Sequence, residues 1–565
     1  MIVYRDSTHE QDTSAQLVRL AQLVEQGNAV SFLVELGALE QGVADALAPE
    51  RDRWGVTEMR LREAAHRAGA AFLASRDGRA PQAHLQCAQA ALDTLSSDEL
   101  PVTVHVKSPE GYMHYALDPA GYALSAEAYR RDVGERRAAQ VVVIGVRSIG
   151  TSLSAVVAAA LGSERSLTVR PRGETGGRHV AADPTLEGRL QELLTDASDV
   201  LIVDEGPGAT GETLACIAGW LQEQGVAAQR IVLFPHHPVG LSLAPEERRA
   251  WFDSVRRYFA PLEEQRPARL AARLGLAEPE DLSGGQWRAV VPGAEAEPAF
   301  AMFERRKYRA QDPQGGAYLM RYAGLGRWGE ATAARAAALA EAGVGEEVIE
   351  YADGFLIYRW QEGHLMRNGA GGSPEFLEAL CRYLTIRVGR FRTGKLVDTA
   401  PLGAMLLQNA QQGLGENPPG LAAAARQLEA LPAREAVIAD GRLQLREWLL
   451  TPAGYVKVDA WDHGDDLRFP GPADAAWDLA GAAVEYALED TTLGELTRRC
   501  ARAAGDAAGE LREAVAAYRA PYAACCFGEA FFSALESPIQ EDKQRLDAEA
   551  ERYRSALSRE LRRWS

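Results

Sequence analysis

Two adjacent carboxylates, a glycine-rich loop and two threonines are the residues of this chain whose types and spacing best suit chemistry. In LIVDEGPGATGETL, residues 201–214, an apolar run leads into Asp204 and Glu205. Gly206, Pro207, Gly208 and Ala209 follow, and then Thr210, Gly211, Glu212 and Thr213 open a helical pattern. Paired carboxylates at the carboxyl end of a parallel strand accept hydrogen bonds from two vicinal hydroxyls, as on a ribose. Small residues, hydroxyls and a helix N-terminus gather backbone N–H groups around one point, which suits a phosphate monoester. Together they predict a sugar-phosphate site.

Two upstream elements extend the pattern. VVVIG leads into the turn Gly145-Val146-Arg147-Ser148-Ile149-Gly150 and a helix, and SLTVR leads into the polar stretch Arg170-Pro171-Arg172-Gly173-Glu174, which continues through Arg178. The order strand, turn, helix, strand, loop, helix, strand, acid pair resembles the type I phosphoribosyltransferases, whose motif has two acids and a short loop ending in Thr-Gly. The loop before Thr210 is one residue longer than the commonest form. The resemblance implies transfer of ribose 5-phosphate from phosphoribosyl diphosphate to a small-molecule acceptor, with Mg2+ and release of pyrophosphate. It implies catalytic roles for Asp204, Glu205 and Arg172, with Asp204 also toward the metal. Arg147, Ser148, Gly150 and Arg170 would face the pyrophosphate. Gly208, Ala209, Thr210, Gly211, Glu212 and Thr213 would face the phosphoribosyl group. His236 and His237, after IVLFP, could line an acceptor pocket or simply form a turn. Tyr112 and Tyr115 could stack on a flat acceptor, core packing being the plainer use. A doubly wound domain whose acid pair merely ends a strand is the alternative.

The second half carries a different constellation. GLGRWG, residues 324–329, satisfies G-x-G-x-x-G, but AYLMRYA before it alternates like an antiparallel strand, which disfavours a dinucleotide site. ADGRLQLREWLLTPAGYVKVDAWDH followed by PGPADAAWDLAGAAVEY is similar to the catalytic region of aminoglycoside phosphotransferase and choline kinase-like proteins. Asp459 matches the metal-binding aspartate and Asp478-Leu479-Ala480 the helix start. Arg321 stands at the place of the phosphate-pairing lysine and FLIYRWQEG at the hinge. Asp440-Gly441-Arg442 puts arginine where the base belongs, and Glu447 replaces the asparagine. An arginine cannot accept a proton at neutral pH. The resemblance therefore implies either an altered kinase that uses ATP with Mg2+, or a pseudokinase.

These residues must be positioned by at least two kinds of element. Residues 1–137 read as a helical addition with a β-hairpin near 101–117, and 138–245 as a phosphoribosyltransferase-like core. Within that core, short apolar strands alternate with helices, as in a doubly wound, mainly parallel sheet. Pro, Gly, Ala and Glu concentrate in a linker placed at 246–297. Residues 298–565 read as an α+β bilobal unit, with a small lobe to about 362 and a helical large lobe beyond. The whole is an α/β multidomain chain.

Composition bounds the partners. The chain has 565 residues, 47% of them hydrophobic, with 61 Lys+Arg against 79 Asp+Glu and a formal net charge of −18. That balance disfavours broad nucleic-acid or anionic-membrane binding, and no apolar run approaches the roughly 20 residues of a membrane span. The basic side chains are nearly all arginine, the lysines being only Lys107, Lys307, Lys395, Lys457 and Lys543. Six cysteines without metal-ligand spacing argue for a reducing, cytoplasmic setting. The last helix mixes both charge signs, as a solvated face does, and a homo-oligomer would also fit it. The leading expectation is a phosphoribosyltransferase fused to a kinase-like unit. The alternatives are a regulatory or scaffold protein built on a ligand sensor and a pseudokinase, and a small-molecule kinase.

Overall fold

The computed structural model describes residues 1–5, 7–95, 100–236, 241, 243–260, 265–301, 303–366, 370–464 and 467–565. The chain forms two compact units: Ser7–Arg266 with Gly324–Trp328, and Met1–Asp6 with Pro267–Ala323 and Gly329–Ser565.

In the first unit the strands Val142–Val146, Ser166–Val169, Val200–Val203 and Ile231–Phe234 are buried at every position, so each reads as an unbroken apolar run. With Arg256–Arg257 they make one parallel sheet. Its order is Ser166–Val169, Val142–Val146, Val200–Val203, Ile231–Phe234, Arg256–Arg257. The chain leaves its first strand toward one edge and returns on the other side. That reversal opens a crevice at the carboxyl ends of Val142–Val146 and Val200–Val203, the usual place for a ligand in such sheets. On one face Ile144 and Ile202 pack with Leu186, Leu190, Leu214 and Ile217 of the helices Pro184–Leu194 and Glu212–Glu223.

The other face is covered by the helix Gly150–Leu161, on which the N-terminal helices pack. Those helices are Thr13–Gln26, Ala29–Leu47, Val56–Arg76 and Gln82–Leu92. Asp12 and Asn28 cap the first two by accepting the Ala15 and Ser31 N–H groups. At Gly69 a Cβ would collide with the Ala155 carbonyl, so glycine there permits backbone-to-backbone approach.

Two expectations about this half are corrected. The hairpin near 101–117 does not form: Thr103–Lys107 pairs antiparallel with Thr8–Asp12, while Glu110–Met113 is a helical turn. Gly111, Tyr112 and Met113 are all buried, whereas a half-exposed strand would bury alternate residues only. The stretch 246–297 is not a plain linker. It holds the helix Glu246–Ser254, the fifth parallel strand and the helix Gln265–Arg273, and Glu280–Asp281 adds an edge strand to the other unit's sheet.

The second unit is two-lobed. Its antiparallel sheet runs Glu280–Asp281, Lys307–Gln311, Ala317–Tyr322, Phe355–Arg359, Val348–Ala352, with the helix Gly326–Glu341 between its third and fourth strands in chain order. Ala317–Tyr322 is antiparallel to both neighbours, which removes the dinucleotide reading of GLGRWG. Residues 360–363 lead into a larger helical lobe with Pro374–Arg390, Ala400–Leu414, Ala476–Glu485, Asp490–Ala504, Ala508–Glu536 and Gln540–Leu561. Its core gathers Trp448, Trp477, Tyr383, Tyr518, Tyr522 and Tyr553. The small sheet of His364–Leu365, Trp448–Thr451 and Gly454–Lys457 lies at the start of this lobe. Among the described residues no helix is long and apolar enough to cross a membrane.

Candidate functional site

At the switch point of the parallel sheet, the turn after Val142–Val146 lies against the acid pair. A Cβ at Gly150 would stand 2.6 Å from the Val203 carbonyl oxygen, so glycine sets that approach. Ser148 takes φ +135°, a conformation whose cost of about 1–3 kcal/mol persists only where the surroundings over-determine it. Burial pushes the Asp204 carboxyl up to about 7. It pushes Glu205 up to about 8, with Glu110 and Asp204 adding repulsion. Lys107, which the sequence reading overlooked, opposes both shifts. The Tyr122 hydroxyl donates to the Asp204 carbonyl at 2.8 Å and the His236 N–H to the Glu205 carbonyl at 2.7 Å. A Cβ at Gly111 would stand 2.9 Å from a Glu205 carboxylate oxygen, so glycine leaves that carboxylate its place.

The expected arginines are turned elsewhere. Arg147 is buried and ion-paired to Asp45 at 3.0 Å and Asp52 at 2.9 Å. Arg170 pairs with Asp45, and its N–H donates to Asp52 at 2.6 Å. Arg172 pairs with Asp52 at 2.7 Å and donates to the Ala48 carbonyl at 2.8 Å. The three guanidinium groups thus stitch the sheet to the helix Ala29–Leu47 and the segment after it, in place of the pyrophosphate contacts and the catalytic role expected of them. The buried Asp52 and the half-buried Asp45, which would otherwise lie unpaired, are the physical reason. Nothing in the local sequence links Asp45 and Asp52 to residues about a hundred positions away.

The loop after the acid pair is also partly committed. The Glu212 carboxylate, instead of meeting a phosphate, accepts the Gly176 N–H at 2.9 Å and the Arg178 N–H at 3.0 Å. It ties the loop between Pro171–Arg172 and His179–Val180 to a helix start, where its charge suits the dipole but repels an anion. Arg178 donates to the Thr213 hydroxyl at 2.8 Å. Gly208 and Gly211 have φ +62° and +66°, and the Thr210 hydroxyl accepts the Glu212 N–H at 3.4 Å. The Gly208 and Ala209 carbonyls accept from Leu241 and Leu243. Tyr112 is buried with its hydroxyl 2.9 Å from Ser152, a packing role, and Tyr115 stands edge-on to His114. His237 lies outside the described residues.

In the two-lobed unit a cavity of about 220 Å3 opens between the lobes. Leu319, Leu365, Leu449 and Val458 give it an apolar slot beside residues 361–363, and Arg321, Glu447, Asp459 and Asp462 line its polar part. Asp478, at the start of Ala476–Glu485, accepts the Asp440 N–H at 2.8 Å and the Gly441 N–H at 2.9 Å. Both amides of the loop that resembles a catalytic loop are thereby fixed from the core. Asp459 follows the strand Gly454–Lys457 and takes φ +58°, a second strained residue. Arg321 pairs with Asp459 and Asp462 and stacks 5.0 Å over the Trp461 ring. Burial alone would raise Asp462, yet Arg305 and Arg321 hold it well below the ordinary carboxylate range. His463 is pushed well below its usual value by burial and is neutral at pH 7.

The altered loop residues are all engaged. Arg442 is buried, paired with Glu529, and donates to the Gly441 carbonyl at 2.8 Å. Asp440 accepts from the Tyr383 hydroxyl and from the Arg442 N–H, the latter at 3.0 Å. Glu447 accepts from the Lys457 ammonium at 2.6 Å. Sequence reasoning missed Asp462, Lys457 and Glu529. The spacing of Lys457 from Asp459 was the one signal available for any of them. Among the described residues no group of three or more His, Cys, Asp or Glu is placed to hold a metal. Asp459 does offer a carboxylate, 27% exposed, into the cavity, and carboxylate oxygen suits a hard divalent cation.

Antiparallel small lobe, single helix, connecting segment, helical lobe and a loop held by Asp478 make this unit kinase-like in fold. No family model and no curated protein matches the chain. Among solved structures, choline kinase LicA from Streptococcus pneumoniae is similar over 52% of this chain and 99% of its own, at 12% identity and TM-score 0.34. A choline/ethanolamine kinase family protein from Mesorhizobium loti is similar over 45% and 88%, at 21% identity and TM-score 0.30. Macrolide 2'-phosphotransferase MphH from Brachybacterium faecium is similar over 50% and 95%, at 14% identity and TM-score 0.30. The two-lobed architecture stands on its own strand order and contacts.

Proposed function

We propose that the two-lobed unit binds a nucleoside triphosphate, ATP in the first instance, and transfers its terminal phosphoryl group to a hydroxyl of a small molecule. The observation that carries this reading is the pair of hydrogen bonds from the Asp440 and Gly441 amides to Asp478, which aims the loop at a cavity already holding Arg321 and Asp459. The apolar slot of Leu319, Leu449 and Val458 suits a flat base, and Arg321 suits a phosphate once it exchanges Asp459 for the ligand. A divalent cation on Asp459 would neutralise charge on the phosphates. The phosphorus–oxygen bond to the leaving diphosphate breaks as the acceptor oxygen bonds to phosphorus. Arg442 cannot take the acceptor proton. In a loose transition state early deprotonation is not needed, and the proton passes to an oxygen of the transferred phosphoryl group. Catalysis then rests on positioning and charge. Calorimetric titration with ATP and Mg2+ tests the binding step. Wild type should bind, Asp459→Ala should lose about tenfold or more, and absence of heat in wild type would end the reading. Labelled ATP with pools of alcohols and amino sugars tests transfer.

A second reading concerns the parallel-sheet unit and is favoured by strain at Ser148, in the turn whose Gly150 lies against Asp204. We propose that this crevice binds a ribose phosphate, phosphoribosyl diphosphate with Mg2+ being the form to try. Asp204 and Glu205 would face the ribose hydroxyls, and the amides after Gly208 with Thr210 and Thr213 would face the phosphate. Lys107, Arg170 and Arg178 are the cations whose charge reaches Asp204, while Arg147 and Arg172 are held on Asp52. Acceptor-dependent pyrophosphate release that collapses in Asp204→Asn would support phosphoribosyl transfer. Binding without release supports the regulatory alternative, and no binding removes both.

A further inference from the structure

Lys457 is buried to 0% exposure in the middle of three oxygen atoms. Its Nζ donates to Glu447 Oε2 at 2.6 Å and to the Val458 carbonyl at 3.1 Å, and it lies 3.3 Å from Asp440 Oδ2. The cage is built from elsewhere as well. The Tyr383 hydroxyl and the Arg442 N–H hold Asp440, and Arg446 beside Glu447 is itself committed to Glu549 at 2.8 Å. Two carboxylates and a carbonyl are the donor set a hard divalent cation takes, and here an ammonium fills it. Glu447 occupies the position where the resemblance expects an asparagine, the residue that holds a second metal in kinases.

We infer that Lys457 is a built-in cation, standing where a second divalent ion would bind, so that the unit engages its nucleotide with one metal ion only. The inference deepens the phosphotransferase reading and rests on it for the nucleotide. The cage itself stands on contacts within the lobe. Lys457 acts by positioning: its fixed single charge holds Glu447 and Asp440 in place and cancels their repulsion without depending on metal concentration. Asp459, two residues on, also lines the cavity and lies outside the lysine's cage.

The test counts Mn2+ bound to the full-length protein by electron paramagnetic resonance, with and without a non-hydrolysable ATP analogue. Wild type should gain one Mn2+ per chain on adding the analogue. Lys457→Ala should bind one Mn2+ more than wild type even without nucleotide. Its melting temperature should rise in Mn2+ over EDTA by about 5 °C more than that of wild type. Lys457→Ala with Glu447→Gln should lose the extra ion, which a merely structural role for the lysine would not predict. A nucleotide-dependent gain of two Mn2+ in wild type would overturn the inference, whether or not any variant folds. A folded Lys457→Ala with no extra Mn2+ would do the same. If wild type gains no Mn2+ with the analogue while Lys457→Ala still gains its ion, the nucleotide reading fails and the cage stands.

Discussion

The two clusters of acidic residues invite a direct comparison, because the same residue types reach opposite electrostatic states. In the parallel-sheet unit Asp204 and Glu205 are desolvated with no ion-pair partner among the described residues, and their carboxyls are raised to about 7 and about 8. In the two-lobed unit Asp462 is more deeply buried still, yet Arg305 and Arg321 hold it well below the ordinary range, and Lys457 sits on Asp440 and Glu447. The difference lies in where the arginines go. In the first unit they are spent on Asp45 and Asp52, whereas in the second Arg321 lines the cavity itself. A crevice with unneutralised acids is prepared for a cation or for hydroxyl donors; a cavity with matched charges is prepared to exchange one anion for another.

The largest effect that would sharpen this contrast is expected from Asp478→Ala. It strips two loop amides of their acceptor and leaves Arg387, 4.0 Å away, short of a counter-charge in the core. A buried partner lost in this way costs about 3–5 kcal/mol. Denaturant unfolding should show the two-lobed unit failing first, and a loss under about 1 kcal/mol would break the claim that Asp478 organises the loop.

Next in size is Arg147→Met, which leaves Asp52 with Arg172 and the Arg170 N–H. Stability of the parallel-sheet unit should fall by about 3 kcal/mol. Affinity of the folded protein for phosphoribosyl diphosphate should change by less than about threefold, well under 1 kcal/mol. A large loss of affinity with little loss of stability would return Arg147 to the binding site.

The smallest effect is a pH dependence. Asp204 and Glu205 have folded pKa values above their unfolded ones, so the folded state holds more protons than the unfolded state between about pH 4 and pH 8. Their contribution to stability is fully present below the unfolded pKa values and is lost as pH rises through about 7 and 8. Asp204→Asn should therefore melt higher than wild type at pH 8.5, by about 2–4 °C for each kcal/mol recovered, and within about 1 °C of it at pH 4. Binding of a divalent cation or ribose phosphate at this pair should strengthen over the same rise, because the ionised form is the acceptor. A melting difference that is the same at both pH values would remove the desolvation argument.

Much of the fold was legible. The all-buried strands announced themselves as unbroken apolar runs, and the acid pair stands at the carboxyl end of its strand as the pattern required. Strand pairing across the chain was less legible. Thr103–Lys107 looked for its partner next door and found it at Thr8–Asp12, since pairing is decided by which edge is available and not by proximity in sequence. The linker misled for a similar reason: proline and glycine mark turns, but Arg256–Arg257 and Glu280–Asp281 are too short to print a period and exist only because a neighbouring strand offers hydrogen bonds.

The sequence by itself determined the residue types at both sites and their placement at strand ends and helix starts. Only the tertiary structure decided which charges meet. Ion pairs such as Arg147 with Asp52, Arg321 with Asp462 and Arg442 with Glu529 join residues far apart in the chain. Burial strengthens each pair and makes an unpaired partner costly, so three-dimensional packing chooses the partner, and with it which groups are left to meet a ligand.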